Sequence, residues 1–179
     1  MRKVLCILMA GATAACAGGP VGNTRVPEPA KPVELSRYVG KWYELVRYEN
    51  SFEKDCEGVT AEYARLPNDN IEVINTCRER AVDGVVRVAK GEARIDDKVS
   101  NAKLKVSFFG PFFFGDYWVL DRSEDYSWAI VGEPSGRYLW ILSRQAVLSQ
   151  AQTDALIARA AELGYDRALM RPTKQPPAV

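Results

Sequence analysis

Eight short segments of alternating apolar and polar residues constrain the fold of this 179-residue chain more than any other feature. Such period-two alternation indicates β-strands that bury one face. Eight short antiparallel strands with tight connections suit a barrel, whose closure removes the edges of the sheet. The sequence therefore predicts an all-β fold, an eight-stranded antiparallel up-and-down β-barrel, with these strands: Trp42–Tyr48, Val59–Tyr63, Ile71–Thr76, Val86–Ile95, Lys103–Phe108, Tyr117–Asp121, Tyr126–Gly132 and Tyr138–Ser143.

One C-terminal α-helix is predicted to pack outside this barrel. Ser149 and Gln152 have the spacing of a capping box, an apolar stripe at helical spacing follows, and Gly164 is placed to end the helix. The last two strands are apolar on both faces, as in Leu139–Leu142, so one outer face needs a cover. We expect the helix to supply it.

The N-terminal residues indicate export and a membrane anchor. Arg2 and Lys3 precede an apolar stretch that is too short to span a bilayer, and small residues stand directly before Cys16. This arrangement resembles a bacterial lipobox. It predicts a lipoprotein signal peptide over residues 1–15 and attachment to the membrane through acylated Cys16, with palmitate among the acyl chains. Ordinary secretion, with cleavage after Ala17 and no anchor, is the alternative.

The remaining boundaries follow from composition. Residues 16–32 are rich in Gly, Pro and small polar residues, a composition that cannot bury a core, and they are predicted to form a flexible tether. The folded domain is predicted to span residues 33–173. Residues 174–179, which include two consecutive prolines, are predicted to form a disordered tail.

Two cysteines remain for the folded domain once Cys6 is assigned to the signal peptide and Cys16 to the lipid. They are Cys56 and Cys77. Two cysteines in an oxidising compartment predict a disulfide, with two buried thiols as the alternative.

The composition argues against catalysis. The chain has no histidine, so the commonest general base and the commonest metal ligand are missing. No cysteine lies in a CxxC pair, and the net charge is only +1. We therefore predict a binding protein and not an enzyme, with no catalytic residue, no metal, no cofactor and no nucleic-acid partner.

The meander topology gives the barrel two different ends. The start of the first strand and the end of the eighth lie together, which places Trp42 beside Arg144. A guanidinium over an indole ring is favourable by about 0.5–2 kcal/mol, so this pair and Gly40 are predicted to close that end. The opposite end is predicted to form a mouth, either plugged by aromatic rings or rimmed for lipid or membrane contact, with these residues: Phe112, Phe113 and Phe114.

The inward-facing residues predict an apolar pocket. An acyl chain that enters such a barrel gains about 25 cal/mol per Å² of apolar surface buried. Polar partners for a headgroup near the mouth are predicted at Arg47, Tyr48 and Arg80. The pocket residues assigned from alternation include Val59, Ala61, Tyr63, Leu104, Val106 and Phe108.

Three segments carry a resemblance to a known family. Gly40–Glu44, Leu104–Phe112 and Tyr138–Arg144 together resemble the lipocalins, and within them the bacterial outer-membrane lipocalin lipoproteins. The resemblance runs from about Val33 to Arg171. One family motif, usually Thr-Asp-Tyr, departs from the pattern here and reads Leu-Asp-Arg at residues 120–122.

The resemblance implies a periplasm-facing protein of the bacterial outer membrane that binds a fatty acid, phospholipid or lysophospholipid for storage, transport or envelope maintenance. It also implies a homodimer in some relatives. A structural barrel filled by its own side chains and a lipid-modifying enzyme are the alternatives. The family's register further turns these residues towards the ligand: Trp118, Leu120, Tyr138 and Trp140.

Overall fold

The computed structural model of the protein describes residues 20–177. Eight antiparallel strands each pair with the next along the chain, and the eighth pairs with the first, so that the sheet closes. A ninth, short strand also pairs with the first. The eight-stranded barrel with one outer helix is confirmed. The elements are α1 (Leu35–Tyr38), β1 (Gly40–Tyr48), β2 (Cys56–Arg65), β3 (Ile71–Glu79), β4 (Val86–Ile95), β5 (Lys103–Ser107), β6 (Gly115–Arg122), β7 (Trp128–Gly132), β8 (Leu139–Ser143), α2 (Gln150–Glu162), a 3₁₀ turn (Arg167–Leu169) and β9 (Met170–Pro172).

Two apolar clusters lie on opposite sides of the barrel wall. The inner cluster lines the inside of the barrel and includes Trp42, while the outer one lies between the wall and α2, where Leu156 and Ala160 are buried. The predicted capping box is present, since the Ser149 hydroxyl accepts from the Gln152 amide and the Gln152 side chain accepts from Ser149. The helix therefore covers the outer face that the sequence left apolar. Within residues 20–177, neither helix is long and apolar enough to cross a bilayer.

The closed end forms where α1 meets the ends of the first and last barrel strands. The Arg144 guanidinium lies 3.7 Å from the centre of the Trp42 ring, so the predicted contact is present. Arg144 also donates to the backbone oxygens of Lys41, Tyr38 and Val39 at 2.7–3.0 Å. These bonds tie the strand ends to α1, which the sequence reading had missed.

The C-terminal residues close a gap in the barrel wall. β1 pairs with β2 only through its first four residues and then pairs with β9, after a bulge between Glu44 and Val46. Gln175 Nε2 donates to the oxygens of Glu44 and Val59, at 2.8 Å each, and Lys174 O accepts from Gly58 N at 2.7 Å. The prediction that residues 174–179 form a disordered tail is thus wrong for their described part. Where β1 and β2 diverge, their backbone groups need other partners, and this segment supplies them.

The described part of the predicted tether also lies on the barrel. Gly22 N and Asn23 N donate to Gly136 O at 3.0 and 3.1 Å, and Ala30 N donates to Leu120 O. The prediction of a flexible tether over residues 16–32 is therefore wrong for those residues between 20 and 32 that form hydrogen bonds with the barrel. A segment that is too polar to build a core can still bind through its backbone. The predicted signal peptide, 1–15, and Cys16 lie outside the described residues.

Candidate ligand-binding site

The barrel encloses a mainly apolar cavity of about 130 Å³. One water needs about 10–15 Å³, so this cavity is several times larger than the space that a single water requires. Most of its wall is aliphatic and aromatic, as in most small-molecule sites. Its lining includes side chains from α1, the loop after β1 and the inner faces of most strands.

Seven of the predicted pocket residues line this cavity. They come from β2, from β5 and the residue after it, and from β8. Alternation indicated the inner face for the residues from β2 and β5 and for Phe108, and the family resemblance indicated it for Trp140. The seven are Val59, Ala61, Tyr63, Leu104, Val106, Phe108 and Trp140.

Trp118 and Leu120 were predicted to face the ligand, and this register is wrong. Cross-strand partners show it, because Leu104 of the inner face pairs with Tyr117, and Lys103 of the outer face pairs with Trp118. Trp118 instead lies under the Lys103 ammonium at 4.1 Å, and Leu120 is buried in the outer cluster. Both faces of β6 are covered, so its sequence is apolar on both sides and cannot indicate which face is inner.

Tyr138 lies outside the cavity lining, above Trp140. The two rings stack at 5.7 Å between centroids, and the Phe52 ring stacks on Tyr138 at 5.6 Å. Phe52 belongs to the loop after β1, which folds over the mouth. Tyr138 therefore extends the inner aromatic wall towards the opening without lining the space below.

Two of the three predicted mouth residues, Phe112 and Phe114, form an exposed apolar rim together with Phe109, and we define the rim as these three residues. Their exposed fractions are 89%, 61% and 82%. Phe112 and Phe114 stack on each other at 5.7 Å, while Phe113 turns aside and contacts the Arg94 guanidinium. The rings point outwards and do not plug the barrel.

A buried polar cluster that the sequence reading missed lies beside the cavity. Glu44, which lines the cavity, is 2% exposed and accepts hydrogen bonds from Arg47 Nη1 at 2.9 Å and from the Thr173 hydroxyl. Loss of water raises the pKa of Glu44 to about 8, and the nearby Glu53 carboxylate adds to the rise. Alternation alone predicts an apolar residue at such an inward position.

Arg47 and Tyr48 do not provide the headgroup contacts predicted for them. Arg47 is fully buried and donates to Glu44, Thr173 and two backbone oxygens. Tyr48 packs in the outer cluster. Another carboxyl group on the lining, that of Glu53, accepts a hydrogen bond from Trp140 Nε1 at 2.9 Å.

Three tyrosines line the end of the cavity next to α1, and we call them the tyrosine triad: Tyr38, Tyr63 and Tyr117. The Tyr117 hydroxyl lies 2.8 Å from that of Tyr38 and 2.9 Å from that of Tyr63. Burial raises the pKa of Tyr63 to about 12, and it raises the pKa values of the other two as well. All three hydroxyls therefore keep their protons at neutral pH.

The predicted disulfide joins β2 to β3 near the mouth. Cys56 and Cys77 are bonded, with their Cα atoms 5.4 Å apart. Across residues 20–177, no cluster of three or more acidic or cysteine side chains could hold a metal ion.

An antiparallel barrel that closes around an apolar cavity and opens at one end belongs to the class of ligand-binding β-barrels. The chain matches a family model described as a lipocalin-like domain over residues 33–175. It is 41% identical to the outer membrane lipoprotein Blc of Vibrio cholerae, over 93% of this chain and 94% of that protein. The chain therefore belongs to the lipocalin family, and the resemblance to its bacterial lipoprotein branch is confirmed.

Two further comparisons widen this picture. Temperature-induced lipocalin-1 of Arabidopsis thaliana is 36% identical over 83% of this chain and 82% of its own length. The solved structure of insecticyanin from the tobacco hornworm Manduca sexta matches with a TM-score of 0.66 at 21% identity, over 90% of this chain and 89% of its own. The second likeness shows the fold alone.

Proposed function

We propose that this protein binds one lipid molecule with an acyl chain in its barrel, as a lipid carrier or store at the bacterial outer membrane. The observation that carries the proposal is the mainly apolar cavity inside a closed barrel. A barrel filled by its own side chains would leave no such space. The name of the Vibrio cholerae relative, an outer membrane lipoprotein, supports this location and an anchor at Cys16.

The position of the N-terminal segment supports a mouth that faces the membrane. Gly22 and Asn23 bind Gly136, which lies in the loop after β7, at the open end. Cys16 is four residues before Pro20, the first described residue, and four residues of extended chain span at most about 14 Å. An acylated Cys16 would therefore hold the exposed rim close to the bilayer surface, on the periplasmic side.

Vesicle binding tests the membrane contact separately from the anchor. In a Cys16→Ser background, we expect the triple variant Phe109→Ser, Phe112→Ser and Phe114→Ser to bind vesicles of phosphatidylethanolamine and phosphatidylglycerol at least threefold more weakly. Val99→Ser is the matched control, because Val99 is equally exposed but lies in the loop after β4, at the closed end. Equal binding by the triple variant and its parent would remove the rim from the mechanism.

A further inference from the structure

The tyrosine triad holds one more hydrogen-bond donor than it can use. Three hydroxyls carry three protons, and only two hydrogen bonds join them. No other hydrogen bond to these hydroxyls comes from residues 20–177. Whichever way the chain of hydroxyls runs, one proton is left without an acceptor.

This spare donor is buried but open to the cavity. Tyr38 and Tyr63 are only 6% and 9% exposed, and all three residues line the cavity. A buried donor without a partner costs about 1–3 kcal/mol, so the site favours any occupant that supplies an acceptor.

The surroundings of the triad favour a neutral hydrogen-bond acceptor, such as a carbonyl oxygen, over a carboxylate or an alcohol. The Arg144 guanidinium beyond Trp42 acts electrostatically on Tyr38 and Tyr63, and it favours negative partial charge beside them. A carboxylate would lose its hydration for a single neutral donor, which is unfavourable. An alcohol would bring a further hydroxyl proton, so that one donor would still lack an acceptor. A carbonyl oxygen only accepts, and it would pair the spare donor.

We propose that the tyrosine triad is a subsite for a carbonyl oxygen at the leading end of the bound molecule. The preferred ligand is then an apolar chain that enters with a ketone or aldehyde group first. This inference rests on the proposed function, since it assigns a chemical class to the molecule held in the same cavity.

The test compares two probes of equal shape by native mass spectrometry and competition. One is 2-pentadecanone, and the other is the hydrocarbon in which a methylene group replaces the carbonyl oxygen. We expect the wild-type protein to prefer the ketone by about 3- to 10-fold after correction for water–alkane partition, which is the range for one net hydrogen bond.

The variant Tyr38→Phe, Tyr63→Phe, Tyr117→Phe removes all three hydroxyls and leaves no other described group without a partner. It should lose the preference and bind the hydrocarbon at least as well. Tyr43→Phe is the control, since Tyr43 lies on β1 but not on the cavity lining. In wild-type protein, the infrared carbonyl stretch of ¹³C-labelled ketone should also lie at lower frequency than in the triple variant.

The outcomes separate the two proposals. Hydrocarbon binding with no ketone preference, or a preference that survives in the triple variant, would overturn the subsite and leave the carrier function standing. Binding of neither probe by folded wild-type protein would overturn the subsite, and it would overturn the carrier function as well only if lysophospholipid and free fatty acid also formed no adduct.

Discussion

Glu44 sets an unusual pH response at the scale of single residues. Its carboxyl group is buried beside Arg47, and loss of water raises its pKa from an ordinary value of 4.5 to about 8. Between these values the folded protein holds a proton that the unfolded chain has released. Rising pH in this window therefore favours unfolding, by at most about 1.4 kcal/mol per pH unit from this group.

We predict that Glu44→Gln flattens this dependence. The amide oxygen can still accept from Arg47 and Thr173, while the titration disappears. The free energy of unfolding, measured with urea at pH 5.5 and pH 8.5, should fall less in the variant than in the wild type. Glu62→Gln is the control, because Glu62 is an exposed acid paired only at 3.9 Å with Lys41. An equal fall in wild type and Glu44→Gln would contradict the raised pKa.

Some of these residue contacts could be predicted and others could not. The Trp42–Arg144 contact followed from topology, because a meander fixes which strand ends meet. The hydrogen bonds of Glu44 and Tyr117 could not be predicted, because alternation indicates which face of a strand is buried and not which polar groups that face contacts. Apart from Arg47, which is three positions from Glu44, their partners lie about 50 to 130 positions away along the chain.

At the scale of elements, the C-terminal segment replaces a strand pairing. Gln175 bridges the oxygens of Glu44 on β1 and Val59 on β2, where these strands no longer pair with each other. A short polar segment thus completes the wall beside the cavity. Its composition resembles that of a free tail, so the sequence reading placed it outside the fold.

We predict that Gln175→Ala lowers the free energy of unfolding by about 1–3 kcal/mol, because two backbone oxygens lose their partner. Lys174→Ala should change it by less than about 0.5 kcal/mol, since Lys174 has an exposed side chain and bonds through its backbone. Urea unfolding of both variants gives the comparison. Equal effects would show that the side-chain bridge does not stabilise the barrel.

The disulfide constrains the β2–β3 pair. It spans 21 positions along the chain. The chain-entropy model gives about 3 kcal/mol for a loop of this length. We predict that Cys56→Ala with Cys77→Ala costs about this amount in urea unfolding under oxidising conditions, and that a reducing agent destabilises only the wild type. A reductant effect of similar size in the double variant would contradict this origin.

The sequence alone does not determine which face of every strand points into the barrel. β5 alternates lysine with apolar residues, so its inner face was correctly predicted. β6 reads Tyr117-Trp118-Val119-Leu120 and has no polar face, because the cavity lies on one side and the outer cluster on the other. The position of Trp118 and Leu120 is decided by pairing with β5 and not by local pattern.

At the scale of the whole molecule, the two ends of the barrel differ in chemistry. The closed end is tied by Arg144 and contains the hydroxyl groups of the tyrosine triad. The open end carries the exposed rim and the N-terminal segment. In the function proposed here, a molecule enters through the open end, which the anchor at Cys16 would hold next to the membrane, and its leading end reaches the hydroxyl groups at the closed end.

The most direct test of ligand binding inside the barrel is native mass spectrometry of protein mixed with lysophospholipid or with free fatty acid. The wild type should form a one-to-one adduct with at least one of them. Ala61→Phe, which places a ring in the cavity, should reduce the adduct at least tenfold. Ala64→Phe, on the exposed face of the same strand, should not. An adduct that Ala61→Phe leaves unchanged in a folded protein, or no adduct with the wild type, would contradict binding in the barrel.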